Sequence, residues 1–123
     1  MLLYKETETS VNRSYSLKRH KEFRYTYRVG HKNSTGLLTL VTARNRLDTI
    51  RIGFSVSKRV GNAVQRNRAK RRMRACITPM IPRLKGGSNL IVIAKPEVLD
   101  APFSALQQQM ESLLKKSGLW ENE

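Results

Sequence analysis

The sequence predicts a small α+β domain: a mixed sheet with helices packed on it, folded as a single sandwich. Three observations predict it. Residues 49–58, "TIRIGFSVSK", alternate apolar and polar with a period of two. Residues 62–78 and 99–114 carry apolar residues at spacings of three and four. The chain has 123 residues, a length that suits one modest core without disulfides. Helices and strands follow one another irregularly, which fits packing on one sheet better than a repeat.

Residues 1–15 are polar with little periodicity and are expected to form a flexible N-terminal tail. The domain proper is expected over residues 16–118, with 119–123 as a C-terminal tail. "SLKRHKEFRYTYRVG" reads as a helix, with Ser16 as N-cap and Gly30 as its stop. Phe23 and Tyr27 are four apart and share a face of it. "GLLTLVTAR" reads as a strand over about Leu37–Ala43, and the segment from Gly30 has room for a further strand. "NRLD" reads as a hairpin connection to the alternating strand. There Ile50, Ile52, Phe54 and Val56 point one way, and Arg51, Gly53, Ser55 and Ser57 point the other. One sheet face is therefore buried and the other is polar and uncluttered.

A helix follows over about Asn62–Thr78. Ala69, Met73, Cys76, Ile77 and Met80 form its apolar stripe. Asn67, Arg68, Arg71 and Arg74 lie opposite, Arg66 and Lys70 flank the stripe on one side, and Arg72 flanks it on the other. Pro79 and Pro82 end the helix. "KGG" is a turn and "SNLIVIAK" a short apolar strand. From Asp100, taken as N-cap, an amphipathic helix carries Phe103, Leu106, Met110, Leu113 and Leu114, with Gly118 as its C-cap.

Charge is the strongest signal of function. Lys and Arg number 24 against 9 Asp and Glu, a net charge of +15. Twelve of those 24 cations fall between Asp48 and Glu97, a span with no acid at all. Eight lie between Lys58 and Arg74. Like charges at i and i+4 destabilise a helix, so such a concentration calls for a polyanion. From Arg66 to Arg74 arginine outnumbers lysine five to one, and the planar guanidinium fork suits phosphates. Nucleic acid is the expected partner. No helix shows the broad apolar face an anionic membrane would require, and no run approaches a membrane span or a signal peptide. A cytoplasmic location is expected.

The residues argue against catalysis by the chain itself. His20 and His31 both sit in basic surroundings, the acids are scattered, and no Cys- or His-rich metal cluster is present. Cys76 is the only cysteine. It falls on the apolar stripe and reads as a core residue.

"GFSVSKRVGNAVQRNRAKRRMR" closely resembles the signature of the bacterial ribonuclease P protein subunit. That family carries a strand ending in a Ser-Val-Ser-Lys-like sequence, then Gly-Asn-Ala-Val, then Arg-Asn-Arg and further basic residues. All are here, in order and without a gap. "LKRHKEFRYTYRVG" resembles the family's first helix; its second aromatic is often Phe, so Tyr27 is a mild departure. "NLIVIAK" resembles the last strand, and the likeness runs from about Leu17 to Leu114.

The resemblance implies a left-handed βαβ crossover, against the usual hand, and a part in a tRNA-processing endoribonuclease. The family's holoenzyme cuts the 5′ leader from precursor tRNA. Its RNA subunit carries the active site and holds most of the Mg²⁺, with no Mg²⁺ site assigned to the protein. The expected partners are that RNA subunit and precursor tRNA, with no membrane and no obligate protein partner. The resemblance implies contact with the catalytic RNA through Lys58, Asn62, Arg66, Asn67, Arg68, Lys70, Arg71 and Arg74. It implies a leader cleft between the first helix and the open sheet face, at Phe23, Tyr27, Ser55, Ser57 and Arg59. Aromatics beside a polar sheet face suit unpaired bases. The sequence leaves open whether Phe23 and Tyr27 stack on RNA or pack in the core. A ribosomal protein, with the same size and charge, is the alternative.

Overall fold

The computed structural model describes residues 16–17 and 20–121; the tail expected over residues 1–15 lies outside them. Helix α1 spans His20–Val29, strand β1 His31–Ser34 and strand β2 Leu38–Arg44. Strand β3 spans Arg51–Ser55 and helix α2 Ala63–Ile77. A 3₁₀ turn at Thr78–Arg83 leads to strand β4, Ser88–Ala94. A second 3₁₀ turn, Pro96–Leu99, leads to helix α3, Phe103–Lys116. Strand β1 occupies the room left between Gly30 and the predicted first strand.

The sheet runs in the order β1-β2-β4-β3. β1 pairs antiparallel with β2, and β2 with β4, while β3 lies parallel to β4. The hairpin expected at Asn45–Asp48 does not form, because β4 separates β2 from β3. The physical reason lies in β4 itself. Leu90, Ile91 and Val92 are all buried, so this strand needs cover on both faces and takes an interior position. The half-polar β3 takes the edge. Parallel β3 and β4 require a crossover, and α2 supplies it.

The main core lies on one sheet face. Leu38, Leu40, Ile52, Leu90 and Val92 meet Ala69, Met73, Cys76 and Ile77 of α2 and Leu106, Met110, Leu113 and Leu114 of α3. A smaller cluster lies on the other face: Leu17, Val41 and Ile91, with Phe23 and Ile93 packed against it. The second face is therefore not uncluttered as expected, because α1 covers part of it. A Cβ on Gly53 would collide with Cζ of Phe23, so the ring lies directly on that glycine.

Three ends differ from expectation. Ser16 is not a helix cap: it bridges Ile52 in parallel, and the Leu17 N–H donates to the Ile52 carbonyl at 2.9 Å. Asp100 does not cap α3; it closes the preceding 3₁₀ turn, and the N-cap position is Pro102. Residues 119–121 do not trail away. Gly118, at φ +78, occupies the left-handed position after α3, where glycine carries no Cβ penalty. The N–H of Gly118 donates to the Lys115 carbonyl and that of Leu119 to Leu114. Leu119 is then buried, and Trp120 bridges Leu84.

Candidate nucleic-acid interface

Helix α2 begins with a capping box. The Gln65 N–H donates to Asn62 Oδ1 at 2.9 Å, and the Asn62 N–H donates to Gln65 Oε1 at 2.8 Å. This satisfies two of the orphan amides at the helix start, and it commits the Asn62 carbonyl oxygen to the fold. Asn62 is exposed, as are Lys58 and Arg59 in the turn before the helix.

The cations of α2 divide into two sets. Arg68 and Arg72 turn toward the chain leading into α3. Arg68 Nη2 donates to the Leu99 carbonyl at 3.1 Å, and Arg72 Nη2 donates to that of Ala101 at 2.5 Å. The Arg72 guanidinium also lies 6.0 Å from the Phe103 ring centroid. On the other side, Arg66 Nη1 donates to the Gly61 carbonyl at 2.9 Å, and Arg74 lies 5.2 Å from the centroid of Phe54. Arg74 thus departs from the outermost face assigned to it, while Arg68 stays exposed but is tethered to a backbone carbonyl. Neighbouring elements supply a carbonyl for one and a ring for the other. Asn67 and Arg71 are exposed on the crest between the two sets.

The second set opens into a cleft. A cavity of about 160 Å³ lies between α1, the β3 edge and α2, walled by Phe23, Gly53 and Phe54 and overhung by Lys70 and Arg74. Phe23 and Phe54 are both half-buried, so each presents part of its ring. Along the sheet face the surface continues as a row set by register. Ser55 and Thr39 both pair with Ile93, and Thr39 pairs with Ser34. The hydroxyls of Ser34 and Thr39 are 2.7 Å apart.

Of the predicted leader residues, the fold brings Phe23 to the cavity and Ser55 to the adjoining row. Tyr27, Ser57 and Arg59 do not line the cavity. Tyr27 is 38% exposed, because the side of α1 that meets the sheet runs through Phe23 and Thr26. Thr26 is buried: its Oγ1 donates to the Glu22 carbonyl at 2.8 Å and accepts from Asn89 Nδ2 at 3.2 Å. Ser57 Oγ accepts from the Arg59 N–H at 3.3 Å, which shapes the turn into α2. Phe54 was missed. Alternation aimed it at the core, but an edge strand leaves that ring half open. Lys70 and Arg74, expected on the catalytic RNA, stand over the cavity. Among the described residues no three of His, Cys, Asp and Glu gather to hold a metal ion, and none of their helices is long and apolar enough to cross a membrane. Cys76 is buried in the core as expected. Burial pushes its thiol up to about 12, against a smaller lowering by Arg72.

An α+β domain with a cationic helix beside a two-ring cleft has the form of a nucleic-acid-binding protein. Residues 11–118 match the sequence model of the Ribonuclease P family, and the chain belongs to that family. It is 43% identical over 110 residues to the ribonuclease P protein component of Chloroflexus aurantiacus, covering 89% of this chain and 82% of that protein. A solved Staphylococcus aureus RNase P protein mutant superposes with a TM-score of 0.82 at 29% identity, over 96% of this chain and 98% of that one. The RNase P protein of Thermotoga maritima, at 21% identity, shares the fold with a TM-score of 0.75 over 82% of this chain and 96% of that one. The ribosomal-protein alternative is not favoured.

Proposed function

We propose that this chain serves as the protein component of a ribonuclease P ribonucleoprotein. In this reading it binds the catalytic RNA and the 5′ leader of precursor tRNA and so supports 5′ maturation of tRNA. The observation that carries the reading is the meeting of two half-open aromatic rings, Phe23 and Phe54, with Lys70 and Arg74 over one cavity. Rings stack unpaired bases and cations neutralise the adjoining phosphates. The crest of α2, with Asn67 and Arg71 exposed beside the turn that carries Lys58 and Arg59, faces the folded RNA subunit.

Catalysis in this reading belongs to the RNA. The cleft offers rings, hydroxyls and cations, whereas Mg²⁺ selects carboxylate and phosphate oxygens, so in this reading the ion is held mainly by the RNA. The protein's part is to position the leader and to screen phosphate repulsion. The deciding experiment is reconstitution with a bacterial ribonuclease P RNA at low Mg²⁺, scored by precursor cleavage. The protein is expected to restore cleavage that the RNA alone performs poorly there, and to cut nothing when the RNA is left out. Cleavage by stringently RNA-free protein, or no stimulation of the RNA, sinks the reading.

A further inference from the structure

A second aromatic site lies where α2 and α3 end, and it shares no lining residue with the cleft. Trp120 is the only tryptophan in the chain, and its ring is half-buried. The Arg83 guanidinium lies 5.2 Å and the Lys115 ammonium 5.4 Å from its centroid. The surrounding cavity is about 670 Å³, floored by Pro79 and Met80, and Glu111 and Glu121 also line it. The backbone on either side of Trp120 is tied to the 3₁₀ segment. The Lys85 N–H donates to the Leu119 carbonyl at 2.8 Å, and the Glu121 N–H donates to that of Arg83 at 2.8 Å. A platform fixed in this way loses little freedom when a ligand arrives.

We propose that this cavity binds one unpaired nucleotide of RNA, with its base stacked on Trp120, its phosphate at Arg83 and Lys115, and its Watson–Crick edge at a carboxylate of Glu111 or Glu121. The proposal extends the reading of the chain as an RNA-binding subunit to a second, separate site. The chemistry selects both the class of ligand and the base. Arg83 and Lys115, which lie over the indole in the free protein, swing to the phosphate as the base takes their place on the ring. A carboxylate only accepts hydrogen bonds. Guanine presents two adjacent donors, N1–H and the N2 amino group, that a carboxylate can take together as charge-assisted bonds. Uracil presents one N–H between two carbonyls that the carboxylate repels. The Lys115–Glu111 pair, at 2.9 Å, is solvent-exposed, so opening it for a ligand costs little.

Because Trp120 is the sole tryptophan, its emission reports on this cavity alone. The full-length protein is titrated with the single-stranded pentanucleotides UUGUU and UUUUU. UUGUU is expected to quench the emission and to bind at least about fivefold more tightly, the low end of base discrimination by an edge contact. Glu111→Gln and Glu121→Gln together shrink that ratio, and Lys115→Ala weakens both ligands several-fold. Phe23→Ala leaves the quenching intact. Three results overturn the proposal: no quenching by either RNA at millimolar concentration, quenching that Phe23→Ala abolishes, or equal affinities that the Glu→Gln changes leave alone. Trp120→Phe, which keeps a ring in the core, must weaken UUGUU binding by a filter or anisotropy assay while circular dichroism stays native. Cleavage in the reconstituted holoenzyme tests the other reading separately, so either can fail without the other.

Discussion

Phe23 has two employments. Its ring packs on the Leu17–Val41–Ile91 cluster and covers Gly53, yet it also walls the cleft. Phe23→Ala should therefore do two things. A half-open ring loses roughly half of the 3–5 kcal/mol typical of a buried Phe→Ala change, so stability falls by about 2 kcal/mol. One lost stack lowers affinity for leader-bearing precursor by about tenfold, and mature tRNA is spared. Gly53→Ala separates the two effects, because the new methyl must push the ring away without deleting it. Its expected signature is a fall in the precursor-to-mature affinity ratio with a smaller drop in melting temperature. An unchanged ratio in both variants would remove Phe23 from the leader site. Cys76 has a single employment, in the core. Its thiol rises from the ordinary 9.0 to about 12, so the folded chain holds the neutral form. That contribution is complete below pH 9 and is lost as pH climbs from 9 through about 12. A thiol reagent at pH 8 should find Cys76 inert in the native protein and reactive in denaturant. Equal rates in the two states would contradict its burial.

At the scale of elements, α2 shows how far local pattern reaches. Its extent and its buried stripe from Ala69 to Ile77 follow from periodicity. The division of its cations does not, because the partners of Arg68 and Arg72 lie 31 and 29 residues away at Leu99 and Ala101. Nothing in a nine-residue cationic run says which guanidinium a distant carbonyl will take. The seating of α1 was hidden for the same reason. Thr26 looks like an ordinary polar helix residue until Asn89 arrives from β4. The cleft was only half legible: its first ring follows from the aromatic spacing, while Phe54 depends on β3 lying at an edge, which only the full sheet order reveals. A paired measurement follows from the division. Lys70→Ala should lower the salt slope of binding to a single-stranded leader RNA by about 1, with the melting temperature unchanged. Arg68→Ala should lower the melting temperature, because it frees the Leu99 carbonyl. If Arg68→Ala is thermally silent, the bond to Leu99 carries no weight and Arg68 returns to the RNA-facing set.

For the whole molecule, the sheet order and the net charge bear on the same question of what holds the fold when RNA is absent. Reading strands one at a time suggested neighbours in chain order, yet the buried run Leu90–Val92 required an interior strand, and the crossover through α2 follows from that. The crossover lays the most cationic segment across the main core, so the fold concentrates like charge on one side of a small domain. With a net charge of +15, the free protein repels itself. Between about 0.01 and 0.15 M salt the Debye length shortens from about 30 to about 8 Å. Screening over that range should raise the melting temperature of the free protein. The same salt releases no fewer counterions from RNA but makes their release worth less, so RNA affinity falls steeply over the same interval. The two measurements must therefore move in opposite directions as salt is added. At fixed low salt, an RNA that binds only the folded state raises the melting temperature by mass action, by about 2.7 kcal/mol of stability at a hundredfold excess over its Kd. A free protein whose melting temperature falls as salt rises through this range would show that its cations are already compensated within the fold. The RNA would then have no repulsion left to relieve.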